Sequence, residues 1–192
     1  MFDPARFIEE CRSAVADQTA HRAVHDLVAR AMSDTGAVER ALGTPVRAGG
    51  MCLYRSPELT ILNLVWGPWM TLPPHNHRVW AVIGIYGGAE DNIFWQRVET
   101  AQGPRIEAAG AKAMRKGDAC TMGADAIHSV TNPLPRMTAA LHVYGGDFYR
   151  DDRSEWEPEM LVERPFDVEA GRRLFSESNE RMARKSPVVT PT

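Results

Sequence analysis

The stretch Pro73-Pro74-His75-Asn76-His77 ends an apolar segment and holds two histidines one residue apart. Alternate residues of a strand project from the same face, so both imidazoles are expected on one side of a sheet. A third histidine, His128, lies in a later apolar stretch. Neutral imidazole is the commonest protein ligand for divalent transition metals. We therefore predict that His75, His77 and His128 bind a metal and leave its opposite face open for substrate or oxygen.

The bulk composition is that of an ordinary globular protein: 192 residues, 44% hydrophobic and 24% charged, with a net charge of −3. The small charge gives no reason to expect nucleic acid or an anionic membrane as a partner. Cys11, Cys52 and Cys120 are widely spaced, which favours reduced thiols in a cytoplasm-like compartment. The sequence shows neither a signal-peptide pattern nor an apolar run of membrane-spanning length. We expect a cytoplasmic protein of one domain, residues 1–192, and its composition leaves the oligomeric state open.

The chain divides into three regions that differ in the spacing of their apolar residues and in their content of turn-forming residues. Residues 1–45 have apolar residues at helical spacing after an Asp3-Pro4 start, which predicts N-terminal helices. Residues 50–150 contain short apolar runs separated by Gly, Pro, Asn and Asp, which predicts an antiparallel sandwich or barrel. Residues 151–192 form a C-terminal extension, with a helix expected from Asp167 to about Ala183. The predicted strands are Met51–Arg55, Thr60–Trp66, Val79–Tyr86, Ile93–Thr100, Ala119–Met122, Ile127–Thr131 and Met137–Tyr144.

One acidic pair lies between two of these predicted strands. Glu90 and Asp91 follow two glycines and precede Asn92, a composition typical of a turn. We expect them to form a polar hairpin turn. The alternative is that Glu90 folds back to the rim of the pocket.

The two histidine-centred stretches resemble the two motifs of the cupins, whose fold is the double-stranded β-helix, or jelly roll. The first motif matches Gly67 … His75-Asn76-His77 … Gly88, and the second matches Gly117 … His128 … Asn132. The resemblance covers roughly residues 50 to 150 and implies a mainly β fold, here with an N-terminal helical segment and a C-terminal helix. Most metal-binding cupins have a glutamate four or five residues after the H-x-H, where this chain has Ala81 and Val82. The ligand set that the resemblance implies is therefore three neutral histidines without a carboxylate.

Three-histidine cupins resemble the thiol dioxygenases, the cysteine dioxygenase family. These enzymes bind Fe(II) and use O2 to oxidise a small thiol to a sulfinate. Trp66-Gly67, nine residues before His75, is similar to the family's Trp-Gly, and Leu141-His142-Val143-Tyr144 is similar to its Leu-His-Leu-Tyr. The resemblance implies catalytic roles for Tyr144 and His142, and substrate binding by Arg55. It also implies Fe(II) as cofactor, and a small thiol (a thiol carboxylate among the candidates) and O2 as partners.

Two positions depart from the family's pattern and keep other functions open. Ala140 stands where well-characterised members have a serine beside the histidine, and Val82 corresponds to the cysteine that crosslinks to the tyrosine in animal enzymes. The alternatives are a three-histidine cupin of different chemistry, either a dicarbonyl-cleaving dioxygenase or an isomerase, and a non-catalytic metal- or metabolite-binding cupin. The metal is open as well, because imidazole nitrogens also suit ions such as Zn or Ni, and Mn is a further alternative.

Overall fold

The computed structural model of the protein describes residues 1–16 and 19–185. Three helices come first, followed by a long series of strands and a last helix. The helices are α1 (Pro4–Ala14), α2 (Ala20–Met32), α3 (Thr35–Leu42) and α4 (Val168–Lys185). The strands are β1 (Gly49–Arg55), β2 (Thr60–Trp66), β3 (Thr71–Asn76), β4 (Ala81–Gly87), β5 (Ala89–Thr100), β6 (Gly103–Arg115), β7 (Ala119–Met122), β8 (Ile127–Thr131), β9 (Thr138–Tyr144), β10 (Ser154–Trp156) and β11 (Glu163–Pro165).

The strands form two antiparallel sheets. One sheet has the order β1-β2-β9-β4-β7, and the other has the order β11-β10-β3-β8-β5-β6. From β2 to β9 the chain crosses between the two sheets at every connection except the β5–β6 hairpin. Such crossing between two sheets is typical of a jelly roll. The predicted fold class, mainly β with a cupin-type jelly roll and helices at both ends, is confirmed.

The helical regions also begin where the sequence predicts. The Asp3 carboxylate accepts hydrogen bonds from the backbone N–H groups of Ala5 and Arg6, and Asp167 accepts one from Ala170 at the start of α4. These carboxylates satisfy backbone donors that have no partner inside a helix. Residues 186–192 of the predicted extension lie outside the described residues. Within the described ranges, no helix is both long and apolar enough to cross a membrane.

Successive side chains of β4 and β9 point alternately into two different apolar cores. Val82 and Val143 belong to the core between the first sheet and the N-terminal helices, together with Val28 of α2. Ala81 and Tyr144 point the other way and belong to the core between the two sheets. Since successive strand residues face opposite sides, one strand serves the helix layer and the barrel interior at once.

Several strands differ from the sequence prediction. Glu90 and Asp91 lie inside β5 rather than in a turn, so the predicted hairpin turn is wrong at these residues. Strands β6, β10 and β11 have no predicted counterpart. In the longest of them, β6, most residues are exposed and only Ile106 and Met114 are large and apolar. Its structure comes from pairing with β5 along the whole of both strands, which local composition does not reveal.

Candidate metal centre

Two neighbouring strands bring the three predicted ligands together. His75 lies near the end of β3, His77 follows that strand, and His128 lies on β8. His75 and His128 are direct cross-strand partners, which brings the two motifs together although 53 residues separate them. All three side chains are buried, at 3%, 3% and 2% exposure. The interior of the barrel is therefore where the imidazoles meet.

The Nε2 atoms of the three rings point toward one another. The Nε2 of His77 lies 3.2 Å from the Nε2 of His75 and 3.2 Å from that of His128. The Nδ1 of His75 lies 2.9 Å from the Pro73 carbonyl oxygen, and the Nδ1 of His128 lies 2.9 Å from the Asn92 Oδ1. Because both oxygens are acceptors, each Nδ1 carries the proton and donates it.

This proton placement fits a metal site. A neutral imidazole with its proton on Nδ1 has a lone pair on Nε2, so His75 and His128 direct two lone pairs into the same space. His77 lies between them and has at most one Nε2 proton to donate. At least one lone pair is then left facing another nitrogen, an arrangement that a cation stabilises. Among the described residues, these three histidines form the group whose ligand atoms lie within 4.8 Å of one another and can hold a metal ion.

Burial keeps the three rings neutral. Burial, together with the positive charge of Arg153 as a smaller cause, lowers the pKa of His75 to about 3. Burial also takes the pKa of His77 and of His128 well below the ordinary value of 6.5, with nearby histidines as a further cause. Neutral imidazole is the form that binds metals, so the site is prepared for a cation at neutral pH.

A tyrosine and a fourth histidine, Tyr144 and His142, flank this cluster. Tyr144 is 1% exposed, and its ring packs edge-on against His77 with centroids 5.0 Å apart. Its hydroxyl lies 3.0 Å from the Nδ1 of His142. Burial raises the pKa of Tyr144 above its ordinary value of 10.0, so the phenol keeps its proton at neutral pH.

A buried carboxylate lies behind His142. Glu90 is fully buried, and its Oε1 accepts a hydrogen bond of 2.6 Å from the indole N–H of Trp66. The same oxygen lies 3.7 Å from the Nε2 of His142. This places Trp66, Glu90, His142 and Tyr144 in one connected series that ends beside the histidine cluster.

Arg153 is a buried cation next to the cluster. It is 5% exposed and lies between the rings of Phe148 and Phe166, with its guanidinium carbon 4.2 Å from each ring centroid. Its Nε donates to the carbonyl oxygen of Asn76, and its Nη1 donates to that of Phe148. Its Nη2 has no hydrogen-bond partner. Burial lowers its pKa to about 10, which leaves the guanidinium charged at neutral pH.

Arg55, the substrate-binding residue implied by the sequence, has a different environment. It forms a two-pronged salt bridge with Asp147, at 2.8 and 2.7 Å, and its guanidinium lies over the Tyr149 ring. Half of its side chain is exposed. Its contacts are thus with the segment that follows Tyr144 and not with the three histidines, and its role toward a substrate stays a prediction.

The position beside Tyr144 also differs from the sequence expectation. Val82 faces the N-terminal helices, whereas Ala81 is the cross-strand neighbour of Tyr144. Neither residue has a thiol, so no thioether to Tyr144 forms from this strand.

Sequence reasoning missed three residues of the site. Arg153 lies in the C-terminal extension, for which no site residue is predicted. Asn92 and Glu90 lie in a segment predicted to be a turn, and the predicted alternative for Glu90 is a position at the rim of the pocket. One signal was available for the last two. Glu90 and Asn92 alternate with Phe94, a pattern that marks one face of a strand. No local signal marks Arg153, since its position depends on β10 pairing with β3.

No family model matches the sequence. Similar solved structures include a cupin superfamily protein from Desulfitobacterium hafniense, with 12% identity and a TM-score of 0.42 over 55% of this chain and 83% of that one. A conserved protein of unknown function from Streptococcus pyogenes has 13% identity and a TM-score of 0.42 over 54% and 77%. A variant of oxalate decarboxylase from Bacillus subtilis has 17% identity and a TM-score of 0.39 over 50% and 23%.

Proposed function

We propose that this protein is a metal-dependent dioxygenase that converts a small thiol carboxylate to a sulfinate. The reaction is R–SH + O2 → R–SO2H: both oxygen atoms join the sulfur, which is oxidised while O2 is reduced. The observation that carries the proposal is the combination of three converging neutral imidazoles with a buried, partly unpaired arginine beside them. A site with this charge favours a ligand that brings one negative group to the metal and another to the guanidinium.

The metal is assigned to His75, His77 and His128. When bound, Fe(II) supplies the centre at which thiolate and O2 react. Three uncharged ligands leave the full charge of the ion to the substrate, and thiolate is a soft anionic ligand. The hydrogen bonds from the Nδ1 atoms of His75 and His128 fix the ring orientations, as outer partners of metal-bound histidines commonly do.

Arg153 is the proposed anchor for the carboxylate. Its Nη2 is buried without a partner, and an unsatisfied buried donor is costly unless a ligand completes it. A guanidinium hydrogen bond to a carboxylate is among the stronger pairings in proteins. The guanidinium lies over the rings of Phe148 and Phe166 and is buried, which limits its contact with water. In this way Arg153 binds the far end of the substrate while Tyr144 contributes a protonated hydroxyl near its sulfur.

A second candidate keeps the metal and changes the substrate. Ala140 lacks the hydroxyl of the thiol dioxygenases, and a buried carboxylate, Glu90, occurs near the site instead. These features favour a three-histidine cupin that cleaves a dicarbonyl with O2 or isomerises a small metabolite.

The test is oxygen consumption by protein loaded anaerobically with Fe(II). The thiol panel contains cysteine, 3-mercaptopropionate and mercaptosuccinate, with cysteamine as a thiol lacking the carboxylate and 2,4-pentanedione as a dicarbonyl. The proposal expects O2 uptake with a thiol carboxylate and a product heavier by two oxygen atoms in mass spectrometry. His128→Ala is the inactive control. Uptake with pentanedione alone supports the second candidate, and iron-loaded protein that consumes O2 with none of the thiols contradicts the proposal.

A further inference from the structure

The ring of His142 lies between a phenol and a carboxylate. Its Nδ1 is 3.0 Å from the Tyr144 hydroxyl, and its Nε2 is 3.7 Å from Glu90 Oε1. His142 and Tyr144 alternate along β9 and both point into the barrel, while Glu90 reaches the ring from β5. The order carboxylate, imidazole, hydroxyl is the order in which proton-relay triads are built.

Buried polar atoms without hydrogen-bond partners support a functional role for these three residues. In the described part of the chain, four buried side-chain nitrogen or oxygen atoms lack a hydrogen-bond partner. Two of them are Glu90 Oε2 and His142 Nε2, and a third belongs to Arg153. Unpaired buried polar atoms are rare and costly, so each one calls for an explanation, and a functional role is one such explanation.

Glu90 has a restricted choice of partners. Its Oε1 is fixed by the indole of Trp66, and the basic group within salt-bridge distance of it, among the residues described, is His142. A carboxylate only accepts hydrogen bonds, so it favours a proton on the Nε2 of His142. The Nδ1 of His142 then has a lone pair facing the Tyr144 hydroxyl. Asp and Glu commonly fix a histidine tautomer in this way.

We infer that Glu90 is the positioning residue for His142, so that Tyr144 and His142 together accept the proton of the incoming thiol. This inference rests on the proposed function. Tyr144 passes its hydroxyl proton to the Nδ1 of His142 and takes the thiol proton in its place. The substrate becomes a thiolate, the Tyr144 phenol is restored, and the imidazolium is held next to the Glu90 carboxylate. Glu90 thereby performs the task of the serine that Ala140 replaces, and it adds a negative charge that serine lacks.

Two variants of Glu90 distinguish the effect of its hydrogen-bonding oxygen atoms from the effect of its negative charge. Glu90→Gln keeps an oxygen for Trp66 and His142 and removes the charge, whereas Glu90→Leu removes both. Tyr86→Phe is the control, because it deletes a buried hydrogen bond of 2.8 Å to Asn63 in the helix-side core. The first measurement is the histidine tautomer in metal-free protein, read from ¹⁵N shifts of labelled histidine. We expect a proton on Nε2 of His142 in the wild type and in Glu90→Gln, and a loss of that preference in Glu90→Leu.

The second measurement is the steady-state oxidation of the best thiol from the panel. Glu90→Gln and Glu90→Leu are expected to lower kcat by about 100-fold with little change in KM, since general-base assistance is commonly of that size. Unchanged kcat in both variants, or an unchanged His142 tautomer in Glu90→Leu, overturns the inference. The tautomer measurement needs no turnover. If the wild type oxidises no thiol but the tautomer still depends on Glu90, the positioning role stands and the thiol reaction falls.

Discussion

Arg153 and Asn76 are joined by a hydrogen bond of 3.0 Å, from the Nε of the arginine to the backbone carbonyl of the asparagine. Asn76 is the residue between His75 and His77, so the guanidinium is attached to the backbone that carries two of the three candidate metal ligands. The Asn76 side chain in turn accepts a hydrogen bond from the backbone N–H of Ser154. Two hydrogen bonds therefore fix the separation between the proposed carboxylate anchor and the metal centre.

Replacing Arg153 with Gln is expected to raise KM for a thiol carboxylate by about 100-fold, the size of a lost charged hydrogen bond. Oxidation of cysteamine should change far less, because that thiol has no carboxylate. Steady-state kinetics with both substrates check this. Arg55→Gln is the matched comparison, and a larger effect from Arg55 than from Arg153 would show that the sequence-derived anchor is the correct one.

Replacing His128 with Ala is expected to abolish metal binding, because two imidazoles remain of a set that has no carboxylate to compensate. Elemental analysis of protein purified with and without added Fe(II) measures this directly. His25→Ala is the control, since His25 lies on α2 with its side chain 38% exposed. Equal metal content in the His128 variant and the wild type would refute the assignment.

The metal-free protein is expected to lose stability as the pH falls below about 6.5. The folded-state pKa of His75 is about 3, below the ordinary value of 6.5, so the unfolded chain binds more protons between these values. The stabilising contribution is complete above pH 6.5 and is lost as the pH approaches 3. Urea unfolding at pH 7.5 and pH 5 tests this above the range of most carboxylates, which titrate near about 4. Identical midpoints at both pH values would count against buried neutral histidines.

Gly84→Ala is expected to destabilise the fold by about 1–3 kcal/mol, because overpacking forces neighbouring groups to shift. A Cβ at Gly84 would lie 2.5 Å from a methyl carbon of Val28 and 2.9 Å from the Met32 side chain. Gly110→Ala is the control, since a Cβ there would meet nothing within 4 Å. Chemical denaturation of both variants measures the difference, and equal stabilities would mean that α2 does not pack this closely on β4.

Alkylation by iodoacetamide is expected to modify Cys52 and to spare Cys11 in the native protein. Cys52 is exposed, whereas Cys11 is buried between the helices and the sheet, and burial raises its pKa to about 12. The thiolate is the reactive form, so a raised pKa and lack of access both protect Cys11. Peptide mass spectrometry before and after urea treatment distinguishes the two thiols. Rapid native labelling of Cys11 would contradict its burial.

Local patterns predicted much of the fold and part of the histidine cluster. Alternating apolar residues located most strands, and the H-x-H spacing predicted the shared face of His75 and His77. The meeting of these residues with His128 was implied by the motif resemblance, and the cross-strand pairing of His75 with His128 confirms it.

Residues whose position depends on long-range pairing were not predictable in the same way. Glu90 follows two glycines and looks like a turn residue, yet pairing with β6 and β8 extends β5 through its neighbourhood. Arg153 enters the site because β10 adds to the edge of the second sheet beside β3. Tertiary pairing outweighs local propensity in both places.

Trp66 makes two contacts in opposite directions: its indole N–H binds Glu90, and its ring stacks on Phe175 of α4 at a centroid distance of 5.4 Å. The C-terminal helix therefore packs against the indole that binds the buried side chain of Glu90. A chain shortened before α4 would keep every strand and every candidate ligand, yet the indole that binds Glu90 would lose the Phe175 ring that stacks on it. The packing around Glu90 and the assembly of the barrel would then be separable properties of this molecule.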